Sequence, residues 1–573
     1  MNRKEIAKVL DECGTLLELK GENPFRANAY HNASRAIQRL EGDLDDLLEQ
    51  KKLGSVKGIG KTMVEKVEEL VETGSLKFLE KLRGEVPSGL VEMLRINGFG
   101  PKRIHQAYKE LGVDSVEKLK LAASDGRLAG MKGFGKKTAE KVLEGIAFLD
   151  ESGRRVLYPV ARELAERVME ALAGHPAIKR MTLCGSLRRG RATIKDIDLL
   201  VASDDSEPIM KQFVELPDVR QIVGHGSTKS SVVLDNGMAC DLRVVADKHF
   251  PFAMHYFTGS KEHNVAMRAR AQDYGLKLNE YELAGEKKNI ACKEEEDIFA
   301  ALDLDPIPPE LREDTGEIAA AADKSLPKLL ESGDLTGIFH CHTTASDGGA
   351  TLEEMAAGAK AAGFGYLGLA DHSQTAAYAN GLSPERVREQ QKKIDAFNAK
   401  SDGFRLFKGI ESDILADGSL DYDEKTLESF DYVVASIHQP MNMSETEMTE
   451  RICRAIRHPR CTMIGHLTGR LLLHRDGYPL DVETILREAA KHNTMIEINA
   501  HPWRLDLDWV NCKRAKALGV KVAINPDAHS VEGIDDTKYG VLTARRGWLE
   551  AGDVFNTLPV DEIAKRLRAG KDG

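Results

Sequence analysis

Asp196 and Asp198 stand two residues apart in Ile194-Lys195-Asp196-Ile197-Asp198-Leu199-Leu200-Val201, close behind the turn Cys184-Gly185-Ser186-Leu187-Arg188-Arg189-Gly190. Side chains of a strand alternate between faces, so both aspartates point one way while Ile197 and Leu199 enter a sheet. Two carboxylates aimed at one point repel each other unless cations lie between them, and all-oxygen ligation suits magnesium or manganese ions that also hold phosphates. Gly185 lets the backbone and the Ser186 hydroxyl approach an anion, and Arg189 has the forked donors that grip phosphate oxygens. A bare Asp-x-Asp is more often a solvated strand. With this turn ahead of it, the pattern points to a nucleoside triphosphate held through divalent metal.

A second set of ligating side chains lies further along. Short apolar runs end in Phe339-His340-Cys341-His342, Ser346-Asp347-Gly348, Ala370-Asp371-His372, Gly409-Ile410-Glu411, Ile437-His438, Gly465-His466 and Pro526-Asp527-Ala528-His529. His340 and His342 alternate onto one face, as do Asp527 and His529, so each pair can chelate one ion or bridge two. Any one of these histidines alone reads as an ordinary core or surface residue. Nine imidazoles and carboxylates at successive strand ends exceed what one tetrahedral ion uses. They fit a cluster of two or three ions that clamps a phosphate and activates water.

The elements that must position these groups follow from pattern. Residues 1 to about 90 alternate helical apolar spacing with short breaks, and three segments, the last two further on, share one design: Val56-Lys57-Gly58-Ile59-Gly60-Lys61, Ile96-Asn97-Gly98-Phe99-Gly100-Pro101-Lys102 and Met131-Lys132-Gly133-Phe134-Gly135-Lys136-Lys137. Each Gly-hydrophobic-Gly turn opens a helix whose free N–H groups can hold a nucleic-acid phosphate without reading sequence. Residues 51–150 carry 19 Lys+Arg against 14 Asp+Glu, a local basic balance inside a chain of net charge −11; such a face can serve a phosphate backbone. From residue 335 on, short strands alternate with helices, the rhythm of an α/β barrel with its site at the strand C-termini.

At 573 residues the chain is expected to hold three or four domains. The boundaries expected are a helical domain over 1–90, a second helical region over 91–150, an α+β domain over 151–313, a linker with a short helix over 314–334, and the barrel over 335–573. Eight scattered cysteines without a C-x-x-C pair argue against a zinc ribbon and a disulfide framework. No apolar run reaches membrane-spanning length, so a cytoplasmic protein is expected.

The segment 184–201 resembles the palm of the nucleotidyltransferases, most closely that of the family X DNA polymerases, the DNA polymerase beta relatives. The Gly-x-Gly turns resemble helix-hairpin-helix motifs, and 335–573 resembles the PHP (polymerase and histidinol phosphatase) family. Together these cover nearly the whole chain. The resemblance implies a third carboxylate on a neighbouring strand, a place Asp241 occupies, with Asp196 and Asp198 holding two magnesium or manganese ions and Asp241 one of them. It implies triphosphate contacts from Gly185, Ser186, Arg189 and Gly190, and a thumb segment running through Gly259 in which Tyr256 and Phe257 line the sugar pocket. There Asn264 would touch the incoming base edge or the minor groove, Arg268 the template, and Lys261 a base or phosphate. Lys261 and Ala239 depart from the vertebrate pattern, which has aspartate and arginine at those places.

In the hairpins Gly58, Gly60, Lys61, Gly98, Gly100, Lys102, Gly133, Gly135, Lys136 and Lys137 would clamp the DNA backbone. Lys66 stands where the family has a lysine that forms a Schiff base with an abasic sugar, but its companion position is Thr62 and a solvated helix lysine is the alternative. In the PHP part His340, His342, Glu411 and Asp527 would hold one ion, Glu411, His438 and His466 a second, and Asp347, His372 and His529 a third, the metals being manganese, zinc or iron. Asp371 would orient a neighbour, while Arg470 and Arg504 are either phosphate contacts or surface ion-pair partners. The function implied is a monomeric repair polymerase that fills short gaps in gapped or nicked DNA from deoxynucleoside triphosphates. Its PHP domain would process 3' ends as a 3'-5' exonuclease and cleave abasic sites. The alternative is a PHP-type small-molecule phosphatase addressed to DNA by non-catalytic modules.

Overall fold

The computed structural model describes residues 3–38, 40, 44–94, 96, 99–152, 155–285 and 289–569. It divides into two compact units, one up to Gly153 and one from Arg154.

The first unit is helical. Ile59, Phe99 and Phe134, the apolar residues between the paired glycines, are all buried, and Phe99 meets Phe134 edge to face at 6.2 Å. Pulling those side chains inward turns the flanking backbone out: a Cβ added at Gly60, Gly100, Gly133 or Gly135 would meet nothing within 4 Å. Helices α1 (Lys61–Thr73), α2 (Pro101–Leu111) and α3 (Lys136–Ser152) start directly after these turns. Gly60 and Gly100 cap α1 and α2 with no side chain over their first N–H groups.

The second unit carries two sheets that matter for chemistry. The palm sheet is built from β1 (Arg180–Leu183), β2 (Asp196–Ala202), β3 (Val219–His225), β4 (Lys229–Leu234) and β5 (Ala239–Val245), in the order β1-β2-β5-β4-β3. Only β2 and β5 run parallel, with Asp198 opposite Asp241. Ile197 and Leu199 pack with Leu164, Val168 and Phe213 of two covering helices, which leaves the aspartates on the other face. A thumb follows, opening with α4 (Phe250–Thr258) and α5 (Lys261–Asp273). Residues 314–334 contain the short helix Glu317–Ala322, whose buried Glu317 pairs with His263 of α5 at 2.7 Å.

The barrel runs β6 (Gly337–Cys341), β7 (Tyr366–Leu369), β8 (Arg405–Asp413), β9 (Tyr432–Ser436), β10 (Met463–Ile464), β11 (Met495–Asn499) and β12 (Val522–Asn525), neighbouring in chain order and parallel throughout. Both faces of these strands are buried, as a parallel sheet covered by crossover helices requires. Phe339, Tyr366, Phe407, Tyr432 and Phe555 fill one part of the interior. A bridge from Cys341 to Ala528 nearly closes the ring. A helical N-terminal region, an α+β palm with thumb and a distorted α/β barrel were the expectation, and the chain folds so. All eight cysteines are free and buried, and no helix among the described residues is long and apolar enough to cross a membrane.

Candidate active sites in the palm and the barrel

The palm aspartates meet because β2 and β5 are parallel neighbours. Asp198 is flanked by Asp196 and Asp241, and burial, followed by repulsion from those two carboxylates, pushes its pKa up to about 7. A buried carboxylate set beside two others is stable in its charged form only with a cation among them, so the residues present fit divalent metal. Lys229 Nζ lies 2.6 Å from Asp241 Oδ2. Gly185 is needed here for a reason the sequence does not announce. Its φ is +61°, and a Cβ on it would fall 2.1 Å from Asp198 Oδ2.

The two arginines of the turn are not open to solvent on their own. Arg188 forks onto Glu295 at 3.1 and 2.7 Å, and Arg312 reaches the same carboxylate at 2.5 Å. Arg189 donates to Glu313 at 3.1 Å and to the Thr258 carbonyl at 2.5 Å. Gly190 is buried against the barrel helix α6 (Thr537–Arg546). Ser186 is half-buried. In the thumb, Tyr256 and Phe257 pack edge to face at 5.1 Å, with the Arg243 guanidinium over Phe257. Asn264 donates to the Tyr256 carbonyl at 2.7 Å, which ties α5 to α4. Gly259 lies in the left-handed region between them, close to Arg189. Lys261 is exposed in the first turn of α5, and Arg268 is half-exposed further along it.

The barrel ligands converge at the strand C-termini around Glu411. His372 Nδ1 lies 2.9 Å from it, His466 Nε2 3.0 Å, His340 Nε2 and His438 Nε2 3.3 Å, and His342 Nε2 3.7 Å. Asp527 lies 3.2 Å from His342 and 3.7 Å from His340. Asp347 lies 3.5 Å from His529, 3.6 Å from His372 and 3.7 Å from His342. Three ion-sized groupings result: His340, His342 and Asp527; His372, Glu411 and His438; and His342, Asp347, His372 and His529. His466 is outside these but bonded to Glu411. His340 Nε2, His342 Nε2 and Glu411 Oε2 are buried without a hydrogen-bond partner, as ligand atoms facing a cation would be. His340, His466 and Asp527 all hold positive φ, a strain that the surrounding fold must sustain. At His340 it accompanies a register shift between Ile338 and Cys341, which interrupts simple strand alternation.

The charges in this cluster are mutually set. Burial opposes ionisation of Glu411, but His438, His340 and His372 hold its pKa well below the ordinary carboxylate range. Burial, with His529 and His372 nearby, pushes His342 down to about 4, leaving it neutral and able to ligate. Two positioning carboxylates escaped the sequence reading. Glu497, fully buried, takes His340 Nδ1 at 2.6 Å and also the His466 backbone N–H at 2.8 Å. Asp413 takes His438 Nδ1. The one signal for Glu497 was a charge inside the apolar strand Met495-Ile496-Glu497-Ile498. Asp371 accepts from Thr343 N, Thr343 Oγ1 and Ser346 Oγ, so it shapes the loop that presents Asp347. Arg504 Nε is 3.6 Å from Asp527 and borders the site. Arg470 instead donates to the Arg504 and Leu505 carbonyls, bracing that loop from behind.

In the N-terminal unit, Lys61, Lys102, Lys136 and Lys137 are exposed beside their glycines. Gly58 and Gly133 adopt positive φ, and Gly98 lies outside the described residues. Lys66 is partly buried, 3.6 Å from Glu69 and over the Phe78 ring.

Hairpin helices, a three-aspartate palm with its thumb, and a barrel bearing a His/Asp/Glu cluster define a family X DNA polymerase fused to a PHP domain. Family models match accordingly: a helix-hairpin-helix domain over 1–76, a SAM-like helix-hairpin-helix tandem over 90–147, the DNA polymerase beta thumb over 253–313 and the PHP domain over 339–501. The chain is 38% identical to the DNA polymerase/3'-5' exonuclease PolX of Bacillus subtilis, across 99% of this chain and all of that protein, and it belongs to that family. It is also 27% identical to rat DNA polymerase lambda over about half of each chain. The chain is also similar to a probable phosphatase of Caldicellulosiruptor saccharolyticus, at 33% identity over 33% of this chain and 78% of that one.

Proposed function

We propose that the chain is a DNA-directed DNA polymerase that fills short gaps during repair, and that its barrel is a 3'-5' exonuclease and 3'-end processing site. The carrying observation is that a chain matching PolX along its whole length keeps both constellations: aspartates gathered at the β2/β5 register and ligands gathered around Glu411. Asp196, Asp198 and Asp241 would hold magnesium or manganese, and the barrel ligands two or three manganese, zinc or iron ions. Such ions neutralise phosphoryl charge and lower the pKa of a primer hydroxyl or a water.

The chain's own residues do the rest. The turn 185–190 receives the triphosphate, Gly185 leaving Asp198 its place and Ser186 facing the nucleotide. Tyr256 and Phe257 bound the sugar, Asn264 holds the wall they stand on, and Lys261 and Arg268 meet nucleotide and template. In the barrel Glu497 and Asp413 fix the rings of His340 and His438, and Arg504 meets the phosphodiester. Gapped or nicked DNA is held by the hairpin lysines. The chain would act as a monomer, and a reducing, cytoplasmic setting is in keeping with eight unpaired cysteines. Schiff-base chemistry at Lys66 is the least supported role, since the amine is paired with Glu69.

A small-molecule phosphatase would account for the barrel alone. It leaves unexplained a palm that buries Asp198 beside two further carboxylates, a costly arrangement without a cation to hold. Gap filling by Asp196→Ala, Asp198→Ala and Asp241→Ala variants tests the reading. Synthesis is abolished while DNA affinity stays near wild type. Residual synthesis by the Asp196/Asp198 double variant within about tenfold of wild type, about 1.4 kcal/mol, would refute it.

A further inference from the structure

Arg189 of the palm turn and Arg546 of barrel helix α6 share one carboxylate. Glu313 Oε1 accepts from Arg189 Nε at 3.1 Å and from Arg546 Nη2 at 2.8 Å. The three side chains are 9%, 12% and 4% exposed for Arg189, Glu313 and Arg546. The same helix closes over the turn, since a Cβ on Gly190 would strike Leu542 at 2.5 Å. Beside it, Glu295 is shared in the same way by Arg188 and Arg312. Each group therefore sets two cations against one anion, and the turn is backed by excess positive charge.

An arginine bound to a buried glutamate is not free to serve a phosphate. If it left, the carboxylate would be stranded without a partner, which is the costly way to break a buried ion pair. Arg546 removes that obstacle, because Glu313 stays paired when Arg189 turns away. Burial and the nearby Arg191 and Arg189 push Arg546 down to about 10, so it remains charged at neutral pH. We propose that Arg546 is a positioning residue of the polymerase: by holding Glu313 it releases Arg189 to the triphosphate of the incoming nucleotide, and the barrel helix is thus a working part of the polymerase site. This rests on reading the turn 185–190 as the triphosphate site.

The test is single-nucleotide gap filling by the full chain with varied deoxynucleoside triphosphate, compared among Arg546→Met, Arg546→Lys, Glu313→Gln and the double variant Arg546→Met/Glu313→Gln. With Arg546→Met, Glu313 holds Arg189 alone, so KM for the nucleotide rises about tenfold while kcat changes less. Arg546→Lys keeps most of the affinity. Adding Glu313→Gln to Arg546→Met removes the anion and brings KM back to within about twofold of wild type. Circular dichroism and the 3'-5' exonuclease rate of each variant report folding of the barrel. A helix that merely packs would show no such rescue, and a double variant as poor as Arg546→Met overturns the proposal. Ser186→Ala separates the two readings. If it raises KM and Arg546→Met does not, Arg546 has no such role. If neither moves KM, the turn is not the triphosphate site and the proposal falls with it.

Discussion

Lys229 Nζ stands 2.6 Å from Asp241 Oδ2, reaching diagonally from β4, where Ser231 and not Lys229 is the residue opposite Asp241. The place two residues before Asp241, on its own strand, is the small Ala239. The cation beside the third palm carboxylate is thus supplied across the sheet. Burial, then repulsion from Asp196 and Asp241, raises Asp198, and the Lys229 charge offsets part of that rise. Replacing Lys229 by methionine removes that offset, so the acid limb of the pH profile for nucleotide incorporation should move up by about half a unit to one unit. An unchanged limb, measured at subsaturating metal between pH 6 and 9, would show that Lys229 is a bystander.

The pH dependence of the wild type follows from Asp198 itself. Its ionised form is the one that holds a cation, and its folded-state pKa is about 7. Metal uptake by the palm should therefore weaken as pH falls through 7 and release protons near neutrality. For the metal-free protein the sign is reversed. Between the ordinary aspartate value and about 7 the native state binds more protons than the unfolded chain, so this group's contribution to stability declines as pH rises through that window. Calorimetric titration of manganese in buffers of different ionisation enthalpy, with Asp198→Asn subtracted, checks both proton release and its loss in the variant.

Much of this chemistry is local in sequence, and that decides what was legible. Asp196 and Asp198 are two apart on one strand, and most barrel ligands stand at or just beyond the ends of apolar strands, so period-two alternation and strand ends display them; Asp347 instead lies in the loop after β6. Glu497 and Asp413 carry no such mark. Each is one more acidic residue until the fold sets it against His340 or His438. The pairing of Arg189 was hidden for a plainer reason: its partner Glu313 lies 124 residues on, and Arg546 a further 233. The glycine at 185 was legible as a turn, but the demand for it comes from the Asp198 carboxylate, which only the β1–β2 pairing brings there.

Glu497→Gln should weaken metal binding by the barrel about 10- to 100-fold. The carboxylate that fixes the His340 ring and its tautomer is lost, and no ligand is removed. Polymerase activity is expected to stay within about twofold of wild type, the usual range for a change distant from the reacting groups. Metal content after dialysis against a weak chelator distinguishes the outcomes, and retention at the wild-type level would mean that the backbone alone orients His340.

Neutralising Lys61, Lys102, Lys136 and Lys137 should weaken binding to all DNA sequences alike. It should also flatten the dependence of log affinity on log salt, by roughly one unit for each phosphate that is no longer neutralised. The exposed backbone at Gly60, Gly100 and Gly135 carries no base-reading side chain, so a loss confined to one sequence would contradict the clamp. Fluorescence anisotropy on two unrelated duplexes across a salt series gives the answer.

His340→Ala with His342→Ala tests how far the two chemistries are separate. The barrel cluster loses ligands from the first and third ion-sized groupings, so metal content and 3' processing should both fall away. Gap filling should persist, because Asp196, Asp198 and Asp241 take none of their ligands from the barrel. It persists only if α6 keeps its place against the turn, since Arg546 and Leu542 lie on that helix. Buried histidines stripped from a metal-dependent fold can unfold it, so circular dichroism has to accompany the assays. A folded double variant that still digests a 3' end at the wild-type rate would place the nuclease elsewhere. If gap filling fails in a folded variant, the cluster and the palm turn are coupled through α6. If both activities fail together with the helical signal, the barrel needs its metal to stand.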